Sequence, residues 1–199
     1  MPRAARPTPP AEPRPPAARP PTRDALLDAG VAVAERDGLA GMSVNRVVAE
    51  AGFAKGTFYV HFADRDAFVD ALHERFYGRV DAAVAAAVRD AAPGAGGLLR
   101  GAAAYLDTCL VDRGVKALLL EARADGAIPG RASAREERFA QLSVPGFRAM
   151  GWRESSVAAR MFVRMTSEGA ILELEAGRRL PAVRRTLARF LGVAAPSSR

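Results

Sequence analysis

Between Ser43 and Phe62 the chain reads Ser-Val-Asn-Arg-Val-Val-Ala-Glu-Ala-Gly-Phe-Ala-Lys-Gly-Thr-Phe-Tyr-Val-His-Phe, a stretch in which polar and aromatic residues alternate with apolar anchors. Phe58 and Phe62 are spaced to share one face of a helix and hold it down, which leaves Lys55, Thr57, Tyr59 and His61 around the remaining surface. An ammonium, a hydroxyl, a phenol and an imidazole are groups that hydrogen-bond phosphate oxygens and base edges. The major groove of DNA is about 12 Å wide and admits one helix, so reading it requires a short helix with an exposed polar face and a buried opposite one. Asn45 and Arg46, just upstream, suit contact with base or backbone and suit a solvated surface equally well.

The elements that must position these groups follow from capping signals. Ser43 caps a short helix carrying Val44, Val47, Val48 and Ala51, Gly52 stops it, and a third helix runs from Lys55 to Phe62. Two short helices joined by a tight glycine turn make a helix-turn-helix. Gly56 inside the third helix costs about 1 kcal/mol against alanine, and close approach to another backbone is a reason to accept it. Upstream, Thr22 is an N-cap, and Leu26, Ala29, Gly30, Val33 and Ala34 recur at helical spacing until Gly38. Downstream, Asp64 caps a long helix with Phe68, Leu72, Phe76, Val80, Val84 and Val88 along one slowly drifting face. That helix joins two domains. Pro93, Gly94, Gly96 and Gly97 break the pattern, and helices are predicted near 97–112, 114–124, 133–150, 153–176 and 180–192. Gly126, Pro129 and Gly130 mark a loop, and Pro145 with Gly146 should kink or split the helix that contains them. No segment alternates with the period of a half-buried strand, so the fold class is all-α.

Composition narrows the function. The chain has 199 residues, 49% hydrophobic and 26% charged, enough to bury a core. It lacks the roughly 20 consecutive apolar residues of a membrane span, and its basic start runs into prolines instead of a secretory apolar core, so a cytoplasmic protein without a membrane partner is expected. Cys109 is the only cysteine, which excludes an intramolecular disulfide and a cysteine metal cage. The net charge is +7, with Lys55 and Lys116 the only lysines among 29 basic residues, and favours polyanionic partners. Residues 1–21 hold nine prolines and four arginines against one glutamate and read as a disordered arm, while 193–199 read as a flexible tail. Residues 22–62 carry four basic against five acidic side chains, so bulk charge does not mark the reading segment; most of those acids fall on the first helix.

The string Ala51-Gly52-Phe53, Lys55-Gly56-Thr57-Phe58-Tyr59, His61-Phe62, continued by Arg65, Ala67 and Phe68, closely resembles the N-terminal DNA-binding domain of the TetR family of bacterial transcriptional regulators. The resemblance covers about residues 22–72. It implies a three-helix helix-turn-helix domain at 22–68, joined by the fourth helix to a C-terminal helical ligand-binding and dimerisation bundle at 69–192. It implies homodimers on a palindromic operator in double-stranded DNA, released by a small-molecule effector. Position by position, it makes Lys55, Thr57 and Tyr59 groove and backbone contacts, with Tyr59 and His61 on phosphates. Ser43 would cap the second helix and offer its hydroxyl or N–H to phosphate. Arg65 stands where the family often has a lysine beside phosphate. Ala54 departs from the serine or threonine common at that cap, a loss of about 1 kcal/mol. The resemblance also pairs the last two helices with their copies in the dimer.

Other constellations are weaker. His61 and His73 are wrongly spaced for a metal site, no Ser-His-acid arrangement marks a nucleophile, and the glycines at 94, 96 and 97 lack the lysine of a phosphate loop. No enzyme activity, metal or cofactor is expected. Glu136-Glu137 and the Glu173/Glu175 pair read as solvated faces. Tyr105, Cys109, Phe139, Phe147, Trp152, Met161 and Met165 are adaptable or aromatic groups that suit the wall of an effector pocket, although each singly suits an ordinary core. Val157, Met161, Met165, Gly169 and Leu172, then Val183, Leu187, Phe190 and Leu191, form stripes that fit either a dimer interface or an internal core. The functional expectation is a DNA-binding regulator, a ligand-released repressor; the alternative is a helical ligand-binding or scaffolding module without useful DNA reading.

Overall fold

A computed structural model describes residues 22–112, 114 and 129–193. Its described elements are all helices: α1 (Thr22–Gly41), α2 (Val44–Ala51), α3 (Lys55–His61), α4 (Arg65–Val88), α5 (Ala95–Val111), α6 (Pro129–Ala149), α7 (Ser155–Ala176) and α8 (Pro181–Phe190). The N-terminal arm, the helix expected near 114–124, the Gly126 turn and residues 194–199 lie outside the described residues.

Capping chemistry sets most boundaries. The Ser43 hydroxyl accepts from the Arg46 N–H at 3.3 Å, and the Asp64 carboxylate accepts from the Ala67 N–H at 2.7 Å. Gly52 adopts φ 70°, ψ 30°, a left-handed turn that an L side chain resists, and its N–H returns to α2 carbonyls. Thr22 is itself helical instead of capping, and α1 breaks at Gly38 (φ 62°, ψ −162°) before a last turn to Gly41.

Two predictions about α6 need correction. Pro129 opens this helix and Gly130 continues it, so neither belongs to a loop; a first-turn proline gives up an N–H that has no helical acceptor in any case. Nor does Pro145 split the helix, which runs on to Ala149. Val144 and Phe147 are buried on either side of it, and a Cβ on Gly146 would lie 3.0 Å from Leu98 Cγ. This packing outweighs the single backbone hydrogen bond that proline removes.

The apolar residues form two clusters that meet on α4. The first gathers Leu26, Leu27 and Val33 of α1, Val47 and Val48 of α2, Phe58, Phe62, and Phe68 and Leu72 of α4. The second begins with Val69, Phe76 and Val80 of α4 and takes in Leu106 and Cys109, Phe147, Phe162, Leu187 and Leu191. The α1–α4 crossing is close: a Cβ on Gly30 would fall 2.5 Å from Phe68 Cζ. Arg75 of α4 reinforces it, donating to the Asp24 carbonyl at 3.3 Å and to the Asp28 carboxylate.

Glu173 is not on a solvated face: it is fully buried, its Oε1 accepts from the Leu180 N–H at 2.9 Å, and its Oε2 pairs with Arg184 at 3.1 Å. Arg184 also reaches Asp107 at 2.6 Å, so one buried carboxylate ties α7 to the start of α8 and, through Arg184, to α5. Burial lowers the Arg184 pKa, but the hydrogen bonds to Glu173 and Asp107 raise it further, for a net rise. Glu136 and Glu137 pair with Arg164 and Arg160 of α7 at 3.0 and 2.9 Å.

Candidate nucleic-acid interface

The reading surface is built on Phe58. Its ring is fully buried, with centroids 5.3 Å from Phe62 and 5.2 Å from Phe68, while Phe62 and Phe68 meet at 4.9 Å. Arg23 lies over the Phe62 ring at 5.2 Å. With Phe58 turned inward, the helix exposes Lys55, Gly56, Tyr59 and Val60, and leaves Thr57 and His61 half-buried at its edges. Tyr59 is 50% exposed and rests edge-on against Phe58, with centroids 5.5 Å apart. Val60 is 78% exposed, a large apolar side chain standing free on a polar face. The sequence reading passed over it, although its place beside Tyr59 in a helix anchored by Phe58 and Phe62 marks it as outward.

Two sequence expectations about this segment are resolved by geometry. Ala54 precedes α3 without a side-chain cap hydrogen bond, as a residue lacking a hydroxyl must. Among the described residues a Cβ on Gly56 would meet nothing within 4 Å, so none of their backbone requires that glycine.

The second helix presents Asn45 and Arg46 to solvent, beside an ion-pair chain. Arg46 pairs with Asp37 at 2.9 Å, and Arg36 pairs with Asp37 at 3.2 Å and Glu50 at 3.0 Å. Hydrogen bonds donated to Glu50 and Asp37 raise the Arg36 pKa. The acids Asp37 and Glu50 are therefore already matched by arginines. Arg65 is half-buried, donates from Nε to the Met42 carbonyl at 3.0 Å and lies 3.6 Å from Asp66. It fixes the α1–α2 turn against the start of α4.

Of the seven pocket candidates, two are on the wall of the cavity in the structure. A cavity of about 520 Å³ lies among α4, α5, α6 and α7, and Tyr105 and Phe139 are on its wall. Cys109 and Phe147 are buried in the second core, Met165 packs against that core, and Trp152 lies against Phe147 and Phe190 at 5.5 and 5.7 Å. Met161 is exposed on α7. Walls that reasoning from adaptable side chains left out include Tyr77, Asp81, Leu98, Arg135 and Leu142.

The bundle also touches the reading head directly. A Cβ on Gly114, beyond α5, would lie 2.4 Å from Glu35 Cα of α1. Beside it Asp112 is buried and pairs with Arg79 of α4 at 2.9 Å. Burial raises the Asp112 pKa above its ordinary 3.8; Arg79 opposes the rise, Glu35 adds to it and Arg75 opposes it. Among the described residues, no group of three or more His, Cys, Asp or Glu side chains is placed to hold a metal ion. His73 is buried against Tyr77, with centroids 4.6 Å apart.

Residues 26–72, which span α2, α3, most of α1 and the start of α4, match the family of bacterial regulatory proteins described as the tetR family. The chain carries a TetR-family helix-turn-helix domain on a TetR-like fold. A TetR-like transcriptional regulator from Rhodococcus sp. RHA1 superposes with a TM-score of 0.72 at 20% identity, covering 87% of this chain and 97% of that one. The multidrug binding protein EbrR, solved with imidazole, has a TM-score of 0.67 at 25% identity over 90% of this chain and all of its own, 100%. The fatty acid degradation regulator FadR from Bacillus halodurans has a TM-score of 0.70 at 17% identity, over 88% and 96%. No curated protein matches the sequence. No described helix is long and apolar enough to cross a membrane.

Proposed function

We propose that the protein is a homodimeric repressor whose α3 helices read a palindromic operator and which a small molecule, lodged in the cavity, releases from DNA. The observation that carries this reading is the polar face of α3, held outward by the fully buried Phe58. Lys55, Thr57 and Tyr59 contact the groove and backbone, His61 contacts phosphate, and the exposed Val60 methyls meet a thymine methyl. The open space beside Gly56 suits close approach of the DNA backbone. Ser43 accepts from the Arg46 N–H through a lone pair, so its O–H proton can still go to a phosphate at the α2 N-terminus. Asn45 and Arg46 lie on the same side, and Arg46 must trade Asp37 for phosphate to take part. Arg65 supports phosphate contact mainly by holding the Met42 turn.

Dimerisation fits α7 better than α8. Val157, Met161 and Leu172 are 56%, 53% and 43% exposed along α7. On α8, Leu187 is buried and Val183 and Phe190 pack on the internal core, so that helix brings its polar face to a partner. Effector coupling would pass along α4, which lines the cavity with Tyr77 and Asp81 and carries Phe68 under α3. Ligand and operator then weaken each other by the same factor.

Selecting duplexes from a random library with the full chain tests this. The expected product is a palindrome bound two chains per duplex. Sequence-blind recovery would remove DNA reading and leave a helical ligand-binding or scaffolding module.

A further inference from the structure

The cavity's polar atoms restrict what can fill it. Its body is apolar and aromatic, with Leu98, Tyr105, Phe139 and Leu142 on the wall. Two wall hydroxyls of α6 and α7 donate inside their own helices: Ser143 to the Phe139 carbonyl at 2.8 Å and Thr166 to the Phe162 carbonyl at 2.9 Å. The α4–α6 seam differs. Asp81 Oδ2 pairs with Arg138 at 3.0 Å, yet Asp81 Oδ1 is buried with no hydrogen-bond partner. Arg135 places its guanidinium over the Tyr77 ring at 4.4 Å and gives Nη2 to Glu74 at 3.2 Å, yet its Nη1 is likewise buried without an acceptor. Both residues line the cavity.

A buried donor and a buried acceptor left unmatched each cost free energy that a ligand group can recover. The seam's four charges cancel, with Asp81 and Glu74 against Arg138 and Arg135. At this seam a ligand that brings a full charge would therefore bury it without a counter-ion, beside a like charge already present; of the other charged residues on the wall, Glu136 pairs with Arg164 and Arg89 is solvent-exposed.

We infer that the effector is an uncharged amphipathic molecule, an apolar and preferably aromatic body bearing one hydroxyl or amide that donates to Asp81 Oδ1 and accepts from Arg135 Nη1. This rests on the cavity being the effector site. The head group must both give and take a hydrogen bond, which excludes carboxylates as acceptors only and ammonium ions as donors only.

The test uses the full-length protein and four probes with one body: naphthylmethanol, naphthoate, naphthylmethylammonium and naphthalene, titrated by calorimetry. The alcohol binds about tenfold or more tightly than either ion and more tightly than the hydrocarbon. Asp81→Asn leaves the seam with a surplus positive charge and moves the preference to naphthoate; Arg135→Gln leaves a surplus negative charge and moves it to the ammonium. Gly101→Phe, whose ring would project from the cavity wall beside Val84 and Val88, blocks all four. An ion binding tightest to the unaltered chain, or an order that neither variant changes, overturns the inference while leaving the cavity as the site. Probe binding that Gly101→Phe does not touch, or no binding by any probe, overturns the cavity reading and the inference with it. Circular dichroism melts of each variant confirm that the helices persist.

Discussion

In the reading head, Phe58, Phe62 and Phe68 meet with centroids 4.9 to 5.3 Å apart and leave no room between α1, α3 and α4. In the bundle, α4, α5, α6 and α7 surround about 520 Å³ of open space, with ion pairs such as Arg184–Glu173 and Arg138–Asp81 between its helices. One region must present a fixed surface, because a helix that enters a groove has to arrive in one orientation. The other keeps a void among its helices, and the Asp81–Arg138 pair joins α4 to α6 beside it. Both regions bury an apolar core and carry ion pairs; the bundle differs in burying the Glu173 carboxylate against Arg184 and in keeping the cavity.

The sharpest way to break this contrast is Phe58→Ala. Truncating this fully buried ring should cost about 3 to 5 kcal/mol and abolish DNA binding, as followed by urea unfolding and duplex titration. Next is Glu173→Ala in the bundle, which leaves Arg184 with Asp107 alone and removes the acceptor of the Leu180 N–H, and should cost about 3 kcal/mol in the same unfolding experiment. If the charge pairs carried no weight there, Glu173→Ala would resemble a surface change. A gain is expected from Ala54→Ser, which restores a hydroxyl cap at α3 and should stabilise the head by about 1 kcal/mol.

The smallest effect is at the junction. Because burial raises the Asp112 pKa, the folded chain holds that proton more tightly than the unfolded chain, and stability falls as pH rises from the ordinary value of 3.8 through the raised one. Asp112→Asn removes this slope. Denaturation curves should show the variant's stability relative to the unaltered chain at its highest near neutral pH and declining as the medium is acidified through the carboxylate range.

The same contrast explains what could be read from the sequence. Ser43, Gly52, Asp64 and the Phe58/Phe62 spacing act within one or two helical turns, so local rules located α2, α3 and the start of α4 within a residue. The cavity is assembled from helices far apart in the chain, and no local pattern shows that Asp81 faces Arg138 or that Tyr77 lies under Arg135. Aromatic and sulfur-containing side chains do not report which space they border: Tyr105 and Phe139 reach the cavity, whereas Phe147 fills the core and Met161 faces solvent. Glu173 escapes a local reading for the same reason, since its partner Arg184 arrives from the following helix and its N–H donor from Leu180. Pro145 shows burial prevailing over a local helix-breaking rule.

The central claim is that α3 reads DNA. It is tested most directly by titrating the selected duplex against the unaltered chain and the Lys55→Ala, Tyr59→Ala double variant at several salt concentrations. Each lost contact should weaken specific binding by about 1 to 3 kcal/mol, and removing the Lys55 charge should make the dependence on salt shallower. Equal binding of selected and scrambled duplexes by both proteins, with the same salt slope, would contradict it.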